Sequence, residues 1–152
     1  MMKLLAIDPG PQESAWVLWD GEIRLKDKVP NERLLTMLRG GGDPRDRCAI
    51  EMIAHYGTGM PAGAEVFDTC VWIGRFMQAF GADRTTLVKR HEVKTHLCGS
   101  QRAKDGNIRQ ALIDRLGPQG TKRAPGRTYG VSGDVWSALA VAVTWWDRSA
   151  SA

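Results

Sequence analysis

The sequence predicts an α/β domain built on a mixed five-stranded sheet, and three observations carry that prediction. Residues 3 to 7 and 15 to 19 are continuous apolar runs of strand length, the pattern of strands covered on both faces. Asp20-Gly21 then supplies a hairpin turn, and Ile23, Leu25, Asp27 and Val29 follow at period two, as an antiparallel edge strand would. Beyond residue 30, helical and strand-like patterns alternate.

Each later element has its own signal. Pro30-Asn31-Glu32 opens a helix with Leu34, Leu35 and Leu38 on one side, stopped by three glycines at 40 to 42. Residues 47 to 53 have buried-strand composition interrupted by one acid, Glu51. A Gly/Pro-rich loop at 57 to 63 leads to a helix over 62 to 81, where Val66, Cys70, Ile73, Met77 and Phe80 recur at helical spacing. That stripe suits the core or a helix-helix dimer seam. Residues 85 to 88 read as the fifth strand, with helices at 92 to 97 and 105 to 116. Gly and Pro interleaved with Lys122, Arg123 and Arg127 predict a mobile basic loop over 117 to 131. Ser132 is placed to cap a last helix running to Trp146, with Val135, Leu139, Ala142, Val143 and Trp146 inward.

The chain has 152 residues, 43% of them hydrophobic, which suits one domain spanning 1 to 152. It contains no membrane-length apolar run and no secretory pattern, so a cytoplasmic location is expected. Cys48, Cys70 and Cys98 lack zinc spacing and read as reduced, buried thiols.

Charge is unevenly placed. Residues 84 to 127 hold eleven Lys or Arg against three acids, a local +8 that leaves −4 on the rest of the chain. A face that neutralises phosphates needs such clustering, although a solvated helix surface would share it.

Three acids sit where packing alone would favour apolar residues. Asp8 ends the first strand, Glu51 lies inside the fourth, and Asp134 sits in the first turn of the last helix. Separately, each has an ordinary explanation: a turn before Pro9-Gly10, an ion pair, a charge at a helix start. Together they lie on elements that can be neighbours in a mixed sheet, and three converging carboxylates need a counter-charge. A hard divalent ion supplies it, and two such ions roughly 4 Å apart would suit in-line attack on a phosphodiester. Pro9 and Gly10 would turn the chain sharply off the sheet, with Gly10 leaving space beside the acid.

These residues resemble the ribonuclease H-like nucleases, and among them the RuvC-type Holliday-junction resolvases, including shorter phage-encoded members. "LLAIDPG" is similar to the family's first-strand motif, "AIE" to the strand bearing its Glu, "VKTHLCGSQRAKD" to its basic segment, and "GDVWSALAVAV" to its acidic last helix. The likeness runs nearly the whole chain in the same motif order. It implies sheet order 3-2-1-4-5 with strand 2 antiparallel and helices on both faces. It also implies a Mg²⁺-dependent endonuclease for recombination or repair of branched DNA, with two ions per site and Mn²⁺ able to substitute. Asp8, Glu51 and Asp134 would be ligands, and Lys94, with Lys104 or its neighbour, would lie near the scissile phosphate. The family's second acid on the last helix is replaced here by Ser137, a neutral oxygen. The resemblance further implies a homodimer through helix 62 to 81 and, for a phage-encoded chain, a host-cytoplasmic setting.

Lys89, Arg90, Lys94, Arg102, Lys104, Lys122, Arg123 and Arg127 are the candidate DNA contacts, with Tyr56 a candidate for stacking on a base. A nuclease of the same fold acting on flaps, forks or RNA-DNA hybrids, and a binding module without turnover, remain open at this point. His55, His91 and His96 show no metal spacing, and the six tryptophans suit the core or an interface.

Overall fold

The computed structural model describes residues 2–40, 45–54 and 63–150. Its single sheet runs β3-β2-β1-β4-β5, with β1 Leu4–Asp8, β2 Glu13–Trp19, β3 Ile23–Pro30, β4 Arg47–Met52 and β5 Thr85–Lys89. β1 pairs antiparallel with β2 and parallel with β4. The helices are α1 Asn31–Arg39, α2 Ala64–Phe80, α3 Arg90–Cys98, α4 Asp105–Leu116 and α5 Val135–Ala150. Order and strand directions match the expectation.

Alternation along β1 and β4 explains the continuous apolar runs. Leu5, Ile7, Cys48 and Ile50 face a cluster beneath α1 and α2, whereas Leu4, Ala6 and Ala49 face the one built around α5. On this second face Ala6, Ala15 and Ala49 meet Ala138 and Ala142 in the same cluster. Such small residues let the helix lie close to the strands. Asp8 and Glu51 continue this alternation on the α5 face.

Several expectations change in detail. The period-two face of β3 is interrupted by a bulge opposite Leu18 and Trp19. The extra residue turns Ile23 toward the α5 cluster while Val29 joins the other, and Leu25 is left 46% exposed. On α2 the buried residues are Thr69, Ile73, Phe76 and Phe80, so the core stripe is rotated from the expected one, and Val66, Cys70 and Met77 flank it. α5 is buried almost all round, from Val135 through Thr144 apart from Ser137, because α3 and α4 cover the side away from the sheet. Asp134 precedes α5 instead of lying in its first turn, and its carbonyl accepts the Ala138 N–H at 3.1 Å.

The segment for which mobility is expected is densely bonded. Gly120 and Pro125 form a bridge, Gly126 N–H donates to the Gln119 carbonyl at 2.8 Å, and the buried Thr128 hydroxyl donates to Gly117 at 3.0 Å. Among the described residues, no helix is long and apolar enough to cross a membrane.

Candidate active site

The β1–β2 turn presents the first acid. Gly10 N–H donates to Ser14 Oγ (3.2 Å), whose hydroxyl donates to Asn31 Oδ1 (2.6 Å), and Asn31 Nδ2 donates back to the Gly10 carbonyl (2.8 Å). Ser14 and Asn31 are buried, so this triangle fixes the turn from inside the protein. Gly10 is required by the turn itself: a Cβ there would lie 2.4 Å from the Glu13 carbonyl oxygen. That corrects the expectation that it clears space for a ligand.

The register then assembles the site. Lys28 pairs with Ala15 and Ala15 with Asp8, while Ile7 pairs with Ile50, so Asp8 and Glu51 end side by side one residue on. Lys28, Asp8 and Glu51 therefore form a single row across the α5 face, with only the small Ala15 between the lysine and the acids. α5 brings Asp134 over this row.

An open cleft of about 520 Å³ at the strand ends is walled by Asp8, Glu51, Asp134, Ser137, Lys94, Arg90 and Asp105, together with Pro9 and residues 52 to 54. The sequence-selected acids, Lys94 and Ser137 thus share one cavity. Arg90, a candidate DNA contact, is engaged with acids inside the protein. It donates to Glu51 Oε1 at 3.3 Å and pairs with Asp105 at the start of α4. Arg127 is likewise held, by Glu22 at 2.8 Å and the Gly21 carbonyl at 3.1 Å. Lys89, Arg102, Lys104, Lys122 and Arg123 are exposed and lie outside the cleft wall. Tyr56 and His55 fall outside the described residues.

Electrostatics single out Asp8. Burial, the Glu51 charge, a hydrogen bond with Glu51 and the Asp134 charge together push its carboxyl up to about 8, against a smaller lowering by Arg90. Asp134 is more exposed and accepts from Lys28 Nζ at 2.8 Å, which raises the lysine's pKa. The acids are thus neutralised in three ways: a proton on Asp8, Arg90 on Glu51 and Lys28 on Asp134. With Asp134 turned to Lys28, the described residues contain no group of three or more His, Cys, Asp or Glu side chains drawn together tightly enough to hold a metal ion. The chemistry of the donors nonetheless fits a hard divalent cation. Asp8 and Glu51 offer carboxylate oxygens in contact with each other, and Asp134 stands at the same cleft.

Lys28 is a site residue that sequence reading missed, and Asp105 entered it only as the register alternative to Lys104. The hairpin register carries the signal for Lys28, but only once the β3 bulge is known. Nothing local in the sequence reveals that Arg90 reaches Asp105.

No protein-family model matches the sequence, and no curated protein matches it. Solved structures do. A Thermus thermophilus RuvC structure superposes with a TM-score of 0.67 at 19% identity, covering 98% of this chain and 97% of that one. The chain has the fold of RuvC. A second structure, T. thermophilus RuvC in complex with a Holliday junction substrate, gives a TM-score of 0.70 at 19% identity, over 99% and 97% of the two chains. The five-stranded order and the helices on both faces are therefore those of the ribonuclease H-like fold of RuvC, along essentially the full length.

Proposed function

We propose that this chain is a structure-selective endodeoxyribonuclease that hydrolyses phosphodiesters in branched DNA, with the Holliday junction as its preferred substrate. The observation that carries the reading is the Asp8–Glu51 pair: two carboxylates in contact at the strand ends of a RuvC fold, at an energetic cost that packing alone would not retain. A neighbour of the same fold that was solved on a Holliday junction adds support for the substrate class.

Asp8, Glu51 and Asp134 are the groups that would hold Mg²⁺ or Mn²⁺, two ions per site being the expectation from sequence. Such ions supply activation of the attacking water and stabilisation of the leaving oxygen. The protein's own contributions are distinct. The Ser14–Asn31 clamp holds Asp8 at the rim, and Lys28 pairs with Asp134 until a better cation competes for it. Lys94, on the α3 wall of the cleft, would offer its ammonium to a phosphate bound there. The exposed Lys89, Arg102, Lys104, Arg109, Lys122 and Arg123 extend positive surface beyond the cleft, giving affinity for DNA shape over DNA sequence.

A homodimer through α2 belongs to the same proposal. Phe67 and Val71 stand one turn apart and are 63% and 61% exposed, an apolar strip that a second copy would cover. Two copies would place two clefts against the two symmetric strands of a junction.

Incubation with four-way junctions, forks, flaps, RNA-DNA hybrids and linear duplex, with Mg²⁺ and with EDTA, tests the proposal. The expected result is Mg²⁺-dependent cutting of junctions ahead of all other substrates. Preferential cutting of another substrate would reassign the specificity. A shift of every substrate in a gel with no cutting would make the chain a binding module.

A further inference from the structure

Arg90 is the least ordinary group in the cleft. Its side chain is three-quarters buried, it emerges directly after β5 at the first residue of α3, and it bridges Glu51 in the sheet to Asp105 on α4. A buried guanidinium persists only where anions surround it. Arg90 also sits at the junction of two hollows. The main cleft contains Asp8 and Glu51, and a second of about 340 Å³ is walled by Arg90, Asp105, Arg109, Asp134 and Ser137 with Trp136. On that second side, Asp134 is the one carboxylate not already taken by Arg90, and it is paired with Lys28. Ser137 adds only a neutral hydroxyl, and Arg109 lies over the Trp136 ring as a further positive charge.

We infer that Arg90 is a built-in cation occupying the Asp105 side of the site, so that each protomer binds one divalent ion, at Asp8 and Glu51, in place of two. The inference rests on the metal-dependent reading above and specifies its stoichiometry. Asp8, Glu51 and Asp134 carry three negative charges, which one guanidinium and one divalent ion balance. Asp105 and Lys28 contribute one charge of each sign, and Lys94 and Arg109 on the walls add positive charge that disfavours a second ion further. A second divalent ion would have to displace Arg90 from the oxygens it holds and would then face the guanidinium at close range. A guanidinium has five N–H donors, so two acids leave several for the oxygens of a bound phosphate. Arg90 is thereby a positioning residue for Glu51 and a fixed positive charge at the reacting group.

Counting bound Mn²⁺ on the full chain tests this, by the loss of the free-ion paramagnetic resonance signal during titration without DNA. The wild type is expected to bind one ion per protomer. Arg90→Gln frees Glu51 and Asp105 and should bind two, Arg90→Lys should stay at one, and Arg90→Gln combined with Asp105→Asn should return to one. Circular dichroism melting confirms that each variant is folded before it is counted. Two ions of similar affinity in the wild type would overturn the inference while leaving the metal-dependent reading intact, as would a count of one for folded Arg90→Gln. No bound ion in the wild type would overturn the metal-dependent reading itself.

Discussion

At the scale of single residues, Asp8 stores an electrostatic cost that can be measured. Its pKa is raised from 3.8 to about 8, so between those values the metal-free folded protein keeps a proton that the unfolded chain releases. Stability therefore falls as pH rises from about 4 to about 8 and is independent of this group above that range. Each pKa unit is worth about 1.4 kcal/mol, so the full effect is on the order of a few kcal/mol. Asp8→Asn places a neutral amide there and should remove this slope. In EDTA its urea midpoint should exceed that of the wild type at pH 8, with the gap closing toward pH 4. Parallel pH profiles for the two proteins would show that Asp8 titrates normally. The acid itself was legible in the sequence because a charge ended an apolar run. Lys28, which pairs with Asp134, was not, since a bulge set the register that brings it into line with Asp8 and Glu51.

At the scale of elements, the site depends on how β1 hands over to β2. Asn31, the first residue of α1, takes the Ser14 hydroxyl and gives to the Gly10 carbonyl. Asn31→Ala would leave the buried Ser14 hydroxyl and the half-buried Gly10 carbonyl without this partner, at a cost of about 1–3 kcal/mol in urea unfolding. It should also slow cleavage at saturating junction, because the turn that carries Asp8 loosens. Wild-type unfolding and turnover in this variant would mean that the clamp contributes nothing. The strands were readable from sequence because apolar runs and turn residues are local signals. The orientation of helices was less so. α2 buries Thr69 and Phe76, because the neighbours it packs against decide which residues face inward, and α5 is covered by α3 and α4 on a side that its own sequence leaves ambiguous. Gly10 was correctly singled out as special, but the carbonyl that requires it lies three residues away and is visible only in the fold.

At the scale of the whole molecule, the basic residues and the most exposed apolar pair, Phe67 and Val71, occupy different places. The basic residues gather on β5, α3, α4 and the segment that follows, whereas the apolar strip lies on α2, on the opposite side of the sheet from α5. The proposed function assigns DNA to the first surface and a second protomer to the other. Val71→Asp should convert a dimer to a 16.8 kDa monomer in sedimentation velocity without altering the far-ultraviolet circular dichroism spectrum. A wild type that is monomeric at high protein concentration, or a variant that sediments as the wild type does, would remove α2 as the interface. The overall architecture was legible because motif order and strand pattern agree along the chain. The partition of basic residues was not: Arg90 and Arg127 look like any other surface cations in sequence, yet each is committed to acids within the protein. The most direct measurement of the central claim is cleavage of a four-way junction by wild type and Asp8→Asn, each with Mg²⁺ and with EDTA, alongside a gel-shift measurement of binding. The account predicts cutting by the wild type in Mg²⁺ alone, and an Asp8→Asn protein that binds the junction but does not cut it. Cleavage by Asp8→Asn at the wild-type rate, or wild-type cleavage undiminished in EDTA, would contradict it.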